Sequence, residues 1–221
     1  MKQRIQFCRS SDGARIALAS TGAGLPLLCA AHRLSRIESD VRSPVWSPWL
    51  RELSRNHTLI RYDARGSGLS ERMPDPSGLD SWIEDLEAVT DKLSLKRFAL
   101  LGMSLGGPVA IAYASRYPER VSHLVLLGAY ARGRLRRSPS SHQHQEAQAL
   151  RSLISMGWSE DNPAFRHIFA SLLMPEGKKE RRQWLDELQV TASARERVTA
   201  VIEAPFHVDV SAAAEAIQCR R

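Results

Sequence analysis

Gly102-Met103-Ser104-Leu105-Gly106-Gly107 sits where an apolar strand pattern over residues 97–103 gives way to a helical pattern over residues 105–117. A serine on so sharp a strand-to-helix turn has its hydroxyl pushed out of the end of a sheet, and the flanking glycines supply the room that the turn needs. The helix that opens behind it aims free N–H groups and a positive dipole end at the same point. The Leu105 N–H is therefore placed to stabilise an oxyanion. The plainer reading is a serine capping an ordinary helix of a doubly wound sheet. The doubled glycine after an apolar strand favours the reactive turn.

Working outward from this stretch, short apolar runs alternate with helical ones. Two strands, residues 5–8 and 15–19, flank Ser11-Asp12-Gly13-Ala14, and Asp-Gly between such runs signals a hairpin. Strands are expected at 25–31, 57–62, 97–103 and 123–127, and helices at 46–53 and 105–117. Apolar residues at 79, 82, 83, 86, 89 and 93 mark one face of a helix over residues 79–93. Strand and helix in alternation imply crossovers and a mostly parallel sheet. Beyond residue 131 the pattern is helical only, after a polar linker at 138–144. Helices are expected at 144–157, 163–173, 178–189 and 193–203, each bounded by a breaker such as Gly157, Pro163, Gly177 or Pro205. Residues 206–217 look like a helix returning to the sheet.

Two further motifs join the serine turn. Asp63-Ala64-Arg65-Gly66-Ser67-Gly68-Leu69-Ser70 follows a strand, and Tyr117-Pro118-Glu119-Arg120-Val121 links the serine helix to the next strand. In order and spacing, residues 4–130 resemble the α/β-hydrolase superfamily. The resemblance implies an α/β fold: a mostly parallel sheet with helices on both faces and a helical cap. The chain divides into a core at 1–130, a helical block at 131–204 that reads as a cap or, as a second reading, an independent helical domain, and a partial return to the core at 205–221. The resemblance also implies Ser104 as the nucleophile of a serine hydrolase acting on an ester or related acyl bond, with no cofactor and no metal. Leu105 supplies one oxyanion N–H, and the loop after the strand at 25–31 supplies the other. Many relatives have His-Gly there. This sequence has Ala31-His32-Arg33-Leu34, which makes the backbone N–H of Arg33 or Leu34 the candidate.

The family order is serine, acid, then histidine, the last two following strands that come after the cap. Here the next strand would start near Cys219, where the sequence given ends. The expectation is a truncated hydrolase whose last two strands, triad acid and histidine are missing. The acid position that some relatives use, just after the strand at 123–127, holds Gly128-Ala129-Tyr130. Secondary candidates for the missing roles are His32, at the pocket mouth, His207 with Asp209 two residues on, and Asp63, at the carboxyl end of a strand. Asp63 and Arg65 are otherwise expected to pin the Gly66–Gly68 turn through a charge-assisted hydrogen bond. Without its last strands, the strand at 123–127 becomes an open apolar edge that invites self-association.

Composition narrows the function classes. Of 221 residues, 43% are hydrophobic and 25% charged, which is ordinary for a globular domain. Three dispersed cysteines, Cys8, Cys29 and Cys219, with no CxxC, suggest a cytoplasmic protein. No apolar run is long enough to span a bilayer, so no membrane association is expected. The net charge of +7 gathers at Arg132, Arg134, Arg136 and Arg137 and at Lys178, Lys179, Arg181 and Arg182. No aromatic residues are interleaved with these basic runs, so they read as solvated faces and no nucleic-acid partner is expected. Leu150, Leu153, Ile154, Trp158, Phe165, Phe169 and Trp184 suit a small apolar substrate, or simply pack the helices together. Two functions stay open: an active esterase-like enzyme, or an inactive hydrolase-shaped module that binds a ligand or regulates.

Overall fold

A computed structural model describes residues 2–32, 36–71, 78–137, 140–157, 163–192 and 206–217. Among the described residues six strands form one sheet in the order β1-β2-β4-β3-β5-β6. β1 (Arg4–Arg9) and β2 (Arg15–Thr21) make the expected hairpin, with Arg9 opposite Arg15. Asp12 shapes its turn by accepting the Ala14 N–H at 3.1 Å. β2 runs antiparallel to β4 (His57–Tyr62). From there β3 (Leu25–Cys29), β5 (Phe98–Met103) and β6 (Val121–Leu127) are parallel.

α1 (Trp46–Leu53) covers one face of the sheet, where Leu50 packs with Leu27, Leu59 and Leu101. α2 (Leu79–Lys92) and α3 (Gly106–Arg116) cover the other, burying Trp82, Ile83, Leu86 and Val89 together with nearly every residue of α3. α3 lies this close because its residues are mostly small. A Cβ on Gly106 would stand 2.6 Å from the Ala30 carbonyl oxygen, so the serine helix and the loop after β3 touch backbone to backbone. Gly106→Ala is therefore expected to cost about 2–3 kcal/mol in urea unfolding, since backbone cannot yield as a side-chain tip can. A loss below about 0.5 kcal/mol would show that the loop gives way.

After β6 come α4 (Ser141–Gly157), α5 (Pro163–Leu173) and α6 (Lys179–Ala192). α4 begins inside the expected linker because Ser140 accepts the Gln143 N–H at 3.2 Å and caps it. Trp184 and Met174 pack on Ala170 and Leu185, so this tryptophan seals a helix–helix seam, and Leu153 is exposed. The side chains of Ile154, Phe165 and Phe169, all of Trp158 and the helix expected at 193–203 lie outside the described residues, as does Cys219.

The return at 206–217 is a helix only in part. Asp209 forms an isolated antiparallel bridge with Arg132: Gly133 N–H donates to Val208 O at 2.7 Å and Val210 N–H to Ala131 O at 2.8 Å. α7 (Ser211–Ala216) starts only where Asp209 accepts the Ser211 N–H at 3.0 Å. Buried Phe206 and Val210 anchor the segment, and its β-branched residues favour the bridge over a helix. Among the described residues β6 is an edge strand, with Val125, Leu126 and Leu127 exposed by 49%, 45% and 42%.

Candidate active site

Ser104 stands between β5 and α3 with φ +49°, and its side chain is exposed. Among the described residues only one other non-glycine, Ser94, has a positive φ. Ser94 follows α2, and the bonds Leu95 N–H to Thr90 O and Ser94 N–H to Asp91 O make it an ordinary left-handed helix end. Ser104 ends no helix. It is held between two bonds: its N–H donates to Leu127 O on β6 at 3.1 Å, and its carbonyl accepts the Gly107 N–H at 3.0 Å. The left-handed backbone costs about 1–2 kcal/mol for an L-residue, and such strain collects at functional sites. The Leu105 N–H makes no backbone hydrogen bond among the described residues and lies at the start of α3. Arg33 and Leu34, the candidates for the second oxyanion donor, lie outside the described residues. Ala30 and Ala31, just before them, abut Gly106, so the loop does reach the serine turn.

Among the described residues, His57 bonds to Leu53 O, His123 to Ser122, His144 to Gln148 and His142 pairs with Glu146, all away from Ser104. His32 faces the α1 side, its ring 4.7 Å from that of Trp46. Burial, helped by the Arg61 charge, pulls its imidazole down to about 4. His32 therefore favours its neutral form, packed beside Trp46 on the α1 side. The same shift predicts a pH effect. Folding favours neutral His32, so its contribution is complete above the ordinary value of 6.5 and is lost as pH falls towards 4. Relative to His32→Asn, the native chain should lose stability over that window, by at most about 3 kcal/mol. Because the ring keeps some solvent access, the loss will be smaller than that bound. Parallel urea-stability curves for the two proteins would refute it.

His207 is exposed, and its neighbour Asp209 is committed elsewhere, to Ser211 and, at 3.7 Å, to Arg132. Asp63 is buried and structural: it accepts Ile37 N–H at 2.9 Å and Leu69 N–H at 2.8 Å. Burial raises its pKa against those two bonds. Gly68, at φ +50°, leaves the space its carboxylate fills. Arg65 does not pair with Asp63 as expected. It grips Asp85 of α2 with two bonds of 2.8 and 2.6 Å, and Asp12 of the hairpin at 2.6 Å.

Asp85 and the buried pair of Arg61 and Asp40, 2.9 Å apart, lie outside the residues expected from sequence. The signal for Asp85 was present, as a carboxylate on the apolar face of α2 between Trp82 and Leu86. Burial pushes Asp40 up to about 7, with Arg61 opposing. Among the described residues no group of three His, Cys, Asp or Glu gathers to hold a metal ion. Among them also, no helix is long and apolar enough to cross a membrane.

The family described as alpha/beta hydrolase fold matches over residues 38–179, and the chain belongs to it. It is 36% identical over 121 residues to a 2-hydroxymuconate semialdehyde hydrolase of Pseudomonas sp. (strain CF600), covering 53% of this chain and 41% of that protein. It is 37% identical over 87 residues to a (lyso)-N-acylphosphatidylethanolamine lipase of Mus musculus, covering 38% of this chain and 25% of that one. The chain thus spans less than half the length of these curated relatives. The solved esterase RhEst1 from Rhodococcus sp. ECU1013 superposes with TM-score 0.71 at 26% identity, over 93% of this chain and 74% of that one.

Proposed function

We propose that the chain provides the nucleophile-bearing core of a serine hydrolase acting on an ester or related acyl bond of a small, largely apolar substrate. The observation that carries this reading is the exposed, left-handed Ser104 at the junction of β5 and α3. Ser104 Oγ attacks the carbonyl carbon and gives up its proton to a base. The Leu105 N–H and the backbone N–H of Arg33 or Leu34 receive the developing oxyanion. Collapse expels the alkoxide, which takes a proton, and leaves an acyl-serine that water hydrolyses to the acid. Residues 131–204 serve as the cap over this site. The dispersed cysteines, with Cys8 and Cys29 unpaired, favour the cytoplasm.

A second reading is an inactive hydrolase-shaped module that binds a ligand or regulates. Fluorophosphonate labelling followed by intact mass separates the two. Stoichiometric labelling that Ser104→Ala abolishes means an activated serine and the enzyme reading. A folded chain that stays unlabelled means the binding reading.

Self-association through β6 is part of this reading, supported by the exposed Val125, Leu126 and Leu127 on that strand. Sizing at rising concentration should show a mass increase that Leu126→Lys suppresses. A monomer at every concentration would remove this part of the reading.

A further inference from the structure

The loop after β3 meets the serine turn at one end and is bolted down at the other. At the near end the carbonyl oxygens of Ala30 and Ala31 abut Gly106, next to Leu105. At the far end residues 36–40 close on themselves: the Arg36 carbonyl accepts the N–H groups of Ser39 and Asp40 at 3.2 and 2.9 Å. Asp40 Oδ2 in turn accepts the Arg36 N–H at 3.1 Å and an Arg61 guanidinium N–H at 2.9 Å. Gln3 completes the fastening, donating to the Ile37 carbonyl at 2.7 Å and accepting from Arg61 at 3.1 Å. Ile37 and Asp40 are fully buried, and Arg61 nearly so. A buried ion pair is weak evidence for stability, since an apolar pair of like volume often does as well. This one also leaves Asp40 Oδ1 without a hydrogen-bond partner among the described residues. Its cost is better explained by what it holds in place. Only residues 33–35 join the two fixed ends, and they include both candidates for the second oxyanion donor. A chain advances at most about 3.6 Å per residue, so the place of Arg36 limits where those N–H groups can stand.

We infer that Asp40 and Arg61 are positioning residues, whose ion pair fixes the far end of the loop after β3 so that its N–H groups share the oxyanion with Leu105. The inference rests on the serine-hydrolase reading. Among the described residues, the charged or titratable groups around Asp40 are Arg61 and Asp63 of the β4 end, Arg36 on its own loop, and His32, Cys29 and Tyr62, which line the same small cavity. α1 puts only the uncharged Trp46, Trp49, Leu50 and Leu53 there. Burial holds the Asp40 carboxyl up at about 7, with Arg61 opposing, so the pair loses its negative partner as pH falls through the neutral range.

Labelling and amide exchange test this separately. With a fluorophosphonate, Asp40→Asn at about pH 8 should lower the maximal labelling rate about tenfold or more and leave probe affinity near its native value, since a misplaced donor acts on the transition state. The ratio of native to Asp40→Asn rates should fall towards one as pH drops about two units below 7, where the native carboxyl is neutral too. A base shared by both proteins cancels in that ratio. Hydrogen-exchange mass spectrometry should show the peptide spanning residues 31–39 exchanging about tenfold faster in Asp40→Asn, with residues 98–116 unchanged. Melting curves verify the fold. If Asp40→Asn does not fold, Arg61→Lys takes its place, because an ammonium cannot reach Asp40 and Gln3 together. A folded variant that labels at the native rate, a rate ratio that does not vary with pH, or unchanged exchange over residues 31–39 overturns the inference. Faster loop exchange in the variant of a chain whose native form never labels supports the anchor and rejects the serine-hydrolase reading.

Discussion

Arg65→Ala will lower the unfolding free energy by about 3–5 kcal/mol, a large fraction of the stability of a domain this size. The guanidinium is 4% exposed and the Asp85 carboxylate 2%. Both Asp85 oxygens accept from Arg65, Asp12 accepts from a third nitrogen atom, and the Ser81 carbonyl accepts at 3.2 Å. One side chain therefore ties the β1–β2 hairpin, the turn after β4 and α2 together. Removing it strands a buried carboxylate with no counter-charge, and that desolvation sets the size of the loss. Arg65→Lys should recover only part of it, because a point charge cannot span both oxygens of Asp85. Arg65→Met combined with Asp85→Leu should recover most of it, since no buried charge is left unpaired. Urea unfolding of the four proteins is the measurement. A loss under about 1 kcal/mol for Arg65→Ala would mean that water reaches Asp85 and the knot does not hold the fold.

The second large effect separates reactivity from stability at one position. Ser104→Gly will abolish fluorophosphonate labelling and yet raise stability by about 1 kcal/mol, because glycine adopts φ +49° without the Cβ penalty. Ser104→Ala will abolish labelling too, but it keeps the Cβ and should melt within a degree or two of the native chain. Stability that rises as reactivity vanishes is the signature of strain stored at a reactive turn. A Ser104→Gly protein less stable than Ser104→Ala would show that the turn is unstrained and that the serine side chain supports the fold.

Much of the core was legible because it is written in local pattern. α1 and β4 lie where the apolar spacing placed them, and the other core elements differ by a few residues at their ends. The Asp-Gly hairpin and the strand–Gly-x-Ser-x-Gly–helix order are short-range signals that act through φ and through steric room. The charged partners were not legible. Asp12, Arg65 and Asp85 stand 53 and 20 positions apart in their pairings, and no periodicity states which carboxylate an arginine will reach. The split of residues 206–217 into a bridged piece and a helix was missed for a like reason. It depends on a bridge between Asp209 and Arg132, which are far apart in sequence.

By itself the sequence determined the turn that carries Ser104, the order of strands and helices along the chain, and the small residues that let α3 approach the loop after β3. These follow from local backbone sterics, which each short stretch carries with it. Only the tertiary structure decided that Asp63 is spent on backbone N–H groups, that His32 packs against Trp46 where its basicity falls, and that Trp49 is left half-exposed beside buried Leu50. A carboxylate's partner, an imidazole's basicity and an indole's exposure are set by what the rest of the chain brings within a few ångströms, and that proximity exists only once the sheet has closed around them.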